Sequence, residues 1–265
     1  MKKRSPIFFL KFNSAVLTLL TFLCLPIRQA GATAYAESPK ESDILIAQLE
    51  QSRQTYESVL DYTSLFIKQE LSEGKLDLPE EIFLKFEKPF KIYMKWLNPP
   101  KKGLEVHYER GKHGGKLAIH KPGFLTGLAG VIFLEQDSPW VRKGSESYDI
   151  EDAGIGTFLI DFNEAVLVAE KTGSLRAHQN TPGVWDVTFD VPEENDTFFA
   201  KRCVVTFDEA SALPVKMELF DWEGKTTGIY DYKDLTLNVG SLDPEFKKHI
   251  NRSLFRVYCS TRDSS

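Results

Sequence analysis

Residues 81–121 read EIFLKFEKPFKIYMKWLNPPKKGLEVHYERGKHGGKLAIHK. Apolar side chains alternate with polar ones through Ile82, Leu84 and Phe86, then Ile92, Met94 and Trp96, then Leu104, Val106 and Tyr108, then Leu117 and Ile119. Turn formers break the runs at Lys88-Pro89, at Asn98-Pro99-Pro100, at Gly111 and at Gly114-Gly115. Period-two alternation places one set of side chains on each face of a sheet, so the stretch predicts antiparallel strands with one apolar and one solvated face. The open point is whether the apolar face meets only its own core or also a ligand.

Working outward, the second half repeats the pattern. Strands are expected over 175–181, 184–191, 198–207, 215–222 and 225–237, with Trp185, Val187, Phe189, Cys203, Val205, Phe207, Met217 and Leu219 among the alternating apolar positions. A further strand is expected over 62–71, with Leu65, Ile67 and Leu71 set against Ser64, Lys68 and Glu70. Two longer helices are expected: 42–61, capped by Ser42 or Asp43, and 153–171, capped by Asp152. The second carries Ile155, Phe158, Leu159, Phe162, Ala165, Val166 and Ala169 at spacings of three and four, so one side must be buried. A short helix is expected to start at Asp243-Pro244. About ten antiparallel strands cannot stay flat, and the expectation is an α+β fold: a strongly curved antiparallel sheet, an unclosed β-barrel, with helices packed on its concave side.

The apolar, glycine-rich run from Pro122 to Leu134 suits neither helix nor regular strand. Two readings of it stand side by side: a lid over the open face, with Phe124, Leu125 and Leu128 as its apolar contacts, or a buried connection. The same covering role is expected of Ile155, Phe158, Leu159, Phe162 and Val166 on the second helix.

The N-terminus addresses the chain. Lys2, Lys3 and Arg4 precede an apolar run from Ala15 to Ile27, and Ala34-Tyr35-Ala36 offers small residues for cleavage after Ala36. This is the pattern of a secretory signal, and the run is short of the ~20 residues of a membrane span. The mature chain, residues 37–265, is expected to form a single domain with no transmembrane segment, in the periplasm or otherwise exported. Losing Lys2, Lys3, Arg4, Lys11 and Arg28 with no acid moves the formal charge from −5 to −10. An acidic chain lacks the basic field that nucleic acid binding requires. Two cysteines survive cleavage, and in an exported chain a Cys203–Cys259 disulfide is expected, closing a loop of about 57 residues; a buried free thiol is the alternative.

No catalytic motif appears: no G-x-S-x-G, H-E-x-x-H or C-x-x-C. Glu105, His107 and His120 fall together on the solvated face of adjacent strands, and two His with a Glu suit zinc, but their spacing is equally that of surface histidines. Asp149, Glu151, Asp152, Asp161 and Glu164 read as loop solvation and helix capping. No metal, cofactor or enzymatic activity is expected. The candidate ligand surface is the apolar face: Leu84, Phe86, Ile92, Met94, Trp96, Val106, Val187, Phe189, Met217 and Leu219. Its expected occupant is a lipid, an acyl chain or another hydrophobic molecule. The alternative is an envelope interaction module with a packed interior and a protein partner.

The segments YTSLFIKQE from Tyr62, LKFEKPFKIYMKWL from Leu84, GKHGGKL from Gly111 and DAGIG from Asp152 resemble the bacterial domain-of-unknown-function family 1571. The resemblance covers roughly residues 42–244. That family is in turn similar to the LolA, LolB and RseB envelope proteins. This implies an unclosed β-barrel with a helical cover over a hydrophobic cavity, and a role in carrying or sensing acylated molecules.

Overall fold

The computed structural model describes residues 38–120, 131–136, 138 and 150–240. The signal segment, Phe124, Leu125, Leu128, Asp149, Cys259 and the short helix expected from Asp243 lie outside the described residues.

Among the described residues two α-helices and twelve strands follow one another: α1 (Glu41–Ser58), β1 (Asp61–Ser72), β2 (Lys75–Leu76), β3 (Glu80–Glu87), β4 (Lys91–Trp96), β5 (Glu105–Glu109), β6 (Leu117–His120), β7 (Ile132–Leu134), α2 (Ile155–Thr172), β8 (Leu175–Thr181), β9 (Val184–Phe189), β10 (Arg202–Phe207), β11 (Pro214–Phe220) and β12 (Thr226–Leu237). All strands join one antiparallel sheet in the order β7-β6-β5-β4-β3-β1-β12-β11-β10-β9-β8, with β2 on β1. The sheet ends at β7 and β8 without closing, as expected of an unclosed barrel. Two short strands add to the expected ten: β2, and β7 from the tail of the glycine-rich run.

The sheet is two meanders joined at one seam. β3 to β7 pair in sequence order, and so do β8 to β12; β1 bridges them by pairing with β3 on one side and β12 on the other. Loop chemistry fixes the hairpins. Asn98, for example, just past β4, accepts from the Glu81 amide at 3.0 Å and donates to the Pro79 carbonyl at 2.8 Å, tying the open end of the β3–β4 hairpin with a side chain in place of a backbone ladder.

Alternation holds through β3, β4, β9 and β10, where every second residue is buried. In β1 it holds with the opposite sign to the one expected. Tyr62, Ser64 and Phe66 are buried, while Leu65 and Ile67 lie half-buried on the outer face. The pairing explains this: Tyr62 stands opposite Phe86 and Ser64 opposite Leu84, both inner-face residues of β3.

The helices lie on the inner face. α1 and α2 run antiparallel: Ser42, near the start of α1, approaches Glu170 near the end of α2 at 3.4 Å, and Tyr56, near the end of α1, meets Gly156 at the start of α2. A Cβ on Gly156 would overlap the Tyr56 ring and hydroxyl, so glycine here permits the close crossing. α1 buries Leu45 and Leu49, and Ser52 donates to the Ala212 carbonyl in the β10–β11 turn. Neither helix has the expected side-chain cap. Lys40 precedes α1 without a capping bond, and Gly154 precedes α2 at φ 114°, a backbone that glycine alone adopts easily. The first α2 amide, Ile155 N–H, donates instead to the buried Tyr62 hydroxyl of β1 at 3.2 Å. No helix among the described residues is long and apolar enough to cross a membrane.

Candidate functional site: the inner face of the sheet

All ten residues expected to line a ligand surface fall on the inner face. Leu84, Phe86, Ile92, Met94, Trp96 and Val106 come from β3 to β5, and Val187, Phe189, Met217 and Leu219 from β9 and β11. None is more than 8% exposed, and they share one continuous core with Ile155, Leu159, Phe162 and Val166 of α2. Phe158 packs partly buried against that core, stacked on Phe162 at 5.2 Å. Phe162 meets Phe189 edge-on at 6.4 Å, and Phe189 touches Phe198 at 5.2 Å. The expected covering face of α2 is therefore seated on the strands as a packed layer.

A chain of rings crosses the middle of this face. Tyr230, Phe66, Tyr232, Tyr62, Phe86, Phe90 and Tyr108 follow one another at centroid separations of 6.3, 4.6, 6.5, 5.1, 5.4 and 5.9 Å. These lie within the range where stacked and edge-to-face pairs attract, at about 0.5–1.5 kcal/mol each beyond burial. Burial raises the Tyr62 and Tyr232 hydroxyls far above the ordinary tyrosine value, so both remain neutral donors. Two further polar atoms on the inner face, Ser64 Oγ and Trp185 Nε1, are buried with no hydrogen-bond partner.

The two ends of the face differ. At the α2 end, Glu151 in the turn Ile150–Asp152 accepts from the Tyr108 hydroxyl and from Arg110 at 3.0 and 2.8 Å. Those bonds to Tyr108 and Arg110, working against the cost of burial, hold its carboxyl below the ordinary range. Glu151 thus pins the entry to α2 onto β5; the sequence suggested only loop solvation and capping. Asp161 on α2 moves the other way, raised by burial and by the neighbouring Asp152 and Glu164.

At the opposite end the inner face turns charged. Glu80, Lys68, Tyr230, Met217, Val205 and Trp185 form one cross-strand row. Lys68 pairs with Glu70 at 2.8 Å, and Tyr230 donates to Glu70 at 3.2 Å. Glu80 accepts from Trp96 Nε1 at 2.6 Å and pairs with Lys101, whose ammonium also lies 5.6 Å from the Trp96 ring centre. Sequence reasoning missed this cluster, because Lys68 and Glu70 were expected on the solvated face.

The outer face follows a different rule. Arg202 grips Asp186 with two bonds of 2.7 Å, and Lys216 pairs with Glu218 at 2.6 Å. On β5, however, Glu105 and His107 are buried too. Glu105 stands directly opposite His120, as the sequence placed them, yet it pairs with Lys95 at 3.2 Å. Among the described residues no three His, Cys, Asp or Glu side chains converge as a metal site. Burial, with Lys91 and His113 adding to it, pushes the His107 pKa down to about 3, so the ring is neutral rather than a solvated surface histidine.

Cys203 is a free thiol on the inner face of β10, opposite Val187 and Leu219, and burial raises its pKa far above the ordinary value. A sulfur held between two apolar neighbours behaves as a small hydrophobe; the expected partner, Cys259, lies outside the described residues.

No curated protein matches the sequence at a significant level. Similar solved structures include a DUF1329 family protein from Desulfovibrio piger, at 13% identity and TM-score 0.37 over 78% of this chain and 98% of that one. Another is a LolA superfamily protein from Nitrosomonas europaea, at 10% identity and TM-score 0.33 over 74% and 94%. A third is a chain of the MucA/MucB complex from Pseudomonas aeruginosa, at 15% identity and TM-score 0.38 over 77% and 59%. These values are too low for any of the three to speak to ligand or activity. The family model is decisive where they are not: it matches residues 59–253, from the end of α1 past the last strand, and the chain belongs to the family of proteins of unknown function DUF1571.

Proposed function

We propose that this chain is a non-enzymatic, exported binding protein of the cell envelope that takes the apolar chain of a lipid or acylated molecule against the inner face of its open sheet, in exchange for α2. The observation that carries this reading is the cover itself. The inner face is continuous and apolar, and what closes it over β8 to β11 is a helix pair rather than a second sheet. Lifting α2 exposes Ile155, Leu159, Phe162 and Val166, at about 1.5–3 kcal/mol each, or about 6–12 kcal/mol together. A ligand methylene returns ~0.8 kcal/mol, so a chain of about 8–15 methylenes offsets the exchange. The partnerless Ser64 Oγ and Trp185 Nε1 support it further, since a buried unmade hydrogen bond costs about 1–3 kcal/mol that a polar group of a ligand would recover.

A fluorescent sixteen-carbon fatty acid should bind saturably and be displaced by palmitate but not by hexanoate. Absence of saturable uptake would sink the proposal. That outcome would favour a second reading, an interaction module with a packed interior. Its support is the tight burial of all ten inner-face candidates, together with the outward apolar residues Ile160, Leu167 and Val168 on α2.

A further inference from the structure

We infer that the charged end of the inner face is a head-group site for a zwitterionic amphiphile, one bearing an anionic phosphate and a cationic ammonium. The inference rests on the reading of the inner face as a ligand surface and names what the ligand's polar end must be.

The site is built from two matched units. In each, a carboxylate is held by one ammonium and one aromatic donor: Glu70 by Lys68 and Tyr230, Glu80 by Lys101 and Trp96. Register brings the units together, because Lys68 lies directly across from Glu80 on the neighbouring strand and from Tyr230 on the other side. Directly paired residues have Cβ atoms about 4.5–5.5 Å apart, so the four charges occupy a patch the size of one head group. Burial raises the Glu80 carboxyl, but the bonds from Lys101 and Trp96 and the charges of Lys101 and Lys68 outweigh it and hold the group below its ordinary value of 4.5.

A second feature shapes the site. Gly228 stands opposite Glu70, and a Cβ there would come within 2.6 Å of the Tyr230 ring. Only glycine lets that ring lie across the strand and deliver its hydroxyl to Glu70. Below it, Phe66 stacks on Tyr230 at 6.3 Å, so the charged patch opens directly onto the chain of rings.

The charge balance decides the ligand class. A lone phosphate would gain two ammoniums but face two carboxylates, and a lone ammonium meets the reverse. A zwitterion exchanges both ion pairs at once, its phosphate taking Lys68 and Lys101 while its ammonium takes the carboxylates beside the Tyr230 and Trp96 rings. The four charged side chains are 18–34% exposed, so they are reachable from solvent, and ion pairs this wet are cheap to exchange.

The test compares dioctanoyl phosphatidylethanolamine with dioctanoyl phosphatidylglycerol by displacement of the fluorescent fatty acid from the purified protein. The zwitterionic lipid should bind at least tenfold more tightly, and the Lys68→Met/Lys101→Met variant should bring the two within twofold. If that variant does not fold, Glu80→Gln must narrow the preference instead. Equal affinities, or a preference that survives in a folded variant, overturn the head-group site while leaving the inner-face reading intact. If neither the lipids nor the fatty acid bind, the inner-face reading itself fails and this site falls with it.

Discussion

The two meanders of the sheet are built alike and buried differently. In β9 and β10 burial alternates strictly, and the outward residues carry paired charges such as Arg202 with Asp186. In the other meander β3 and β4 follow the same rule, but β5 is buried on both faces, with Val106 and Tyr108 inside and Glu105 and His107 outside. Polar residues in a doubly buried strand must be neutral or paired, and both devices occur here: His107 is neutral and Glu105 is paired with Lys95. The difference teaches that the meander under α1 and α2 draws its stability from one face, while the β3–β7 meander also commits polar groups of β5 to a dry setting.

The largest effect is expected at the α2 cover over the β8–β12 meander, where Phe162→Ala should lower unfolding stability by about 3–5 kcal/mol, read from chemical denaturation. A loss under about 1 kcal/mol would mean that α2 is not a packed layer of the core. Next, Gly156→Ala forces the Tyr56 ring aside and should cost about 1–3 kcal/mol. Because it loosens the cover, it should also tighten fatty acid binding; weaker binding would show that α2 helps the ligand rather than competes with it.

The third concerns β5. His107 titrates near 6.5 when unfolded and at about 3 when folded, so between those values the unfolded chain takes up a proton that the folded chain refuses. Stability therefore falls as pH falls through that window, by up to ~1.4 kcal/mol per pH unit. Between pH 7 and pH 5, His107→Gln should lose about 2 kcal/mol less than the unaltered protein. Parallel pH profiles would place His107 in water and erase the contrast between the meanders. The smallest effect is expected on the outer face of β9 and β10, where Asp186→Asn should cost no more than about 1 kcal/mol in the same assay. A cost approaching that of Phe162→Ala would mean this face, too, is dry.

Much of this arrangement was legible in the residues. Strict alternation over 82–86 and 92–96 fixed β3 and β4, and the spacing of Ile155, Leu159, Phe162 and Val166 fixed the buried side of α2. β1 was misread because both of its faces carry apolar residues: in YTSLFI, Tyr62 and Phe66 compete with Leu65 and Ile67, and period two alone cannot choose. The choice is made by Phe86 and Leu84 across the β3 ladder. The caps were missed for a similar reason, since the Tyr62 hydroxyl that receives the first α2 amide is distant in sequence. All ten inner-face candidates were legible as apolar strand positions. The charged end was not, because it depends on a register between residues 68 and 230 that no local pattern encodes.

That register carries a consequence for the order in which the molecule can be made. Apart from β1–β3, which skips only the two-residue β2, every other strand pair joins neighbours along the chain, but β1 meets β12 by bringing Tyr62 opposite Leu237. Until β12 has emerged, β1 presents a long bare edge with Leu65 and Ile67 beside it, the kind of template on which chains aggregate. The β3–β7 meander can assemble early, yet the sheet becomes one piece only once β12 has emerged. A chain stopped before Thr226 should therefore be a sticky fragment rather than a smaller version of the protein, and whatever holds the nascent chain open must do so from β1 until β12 is made.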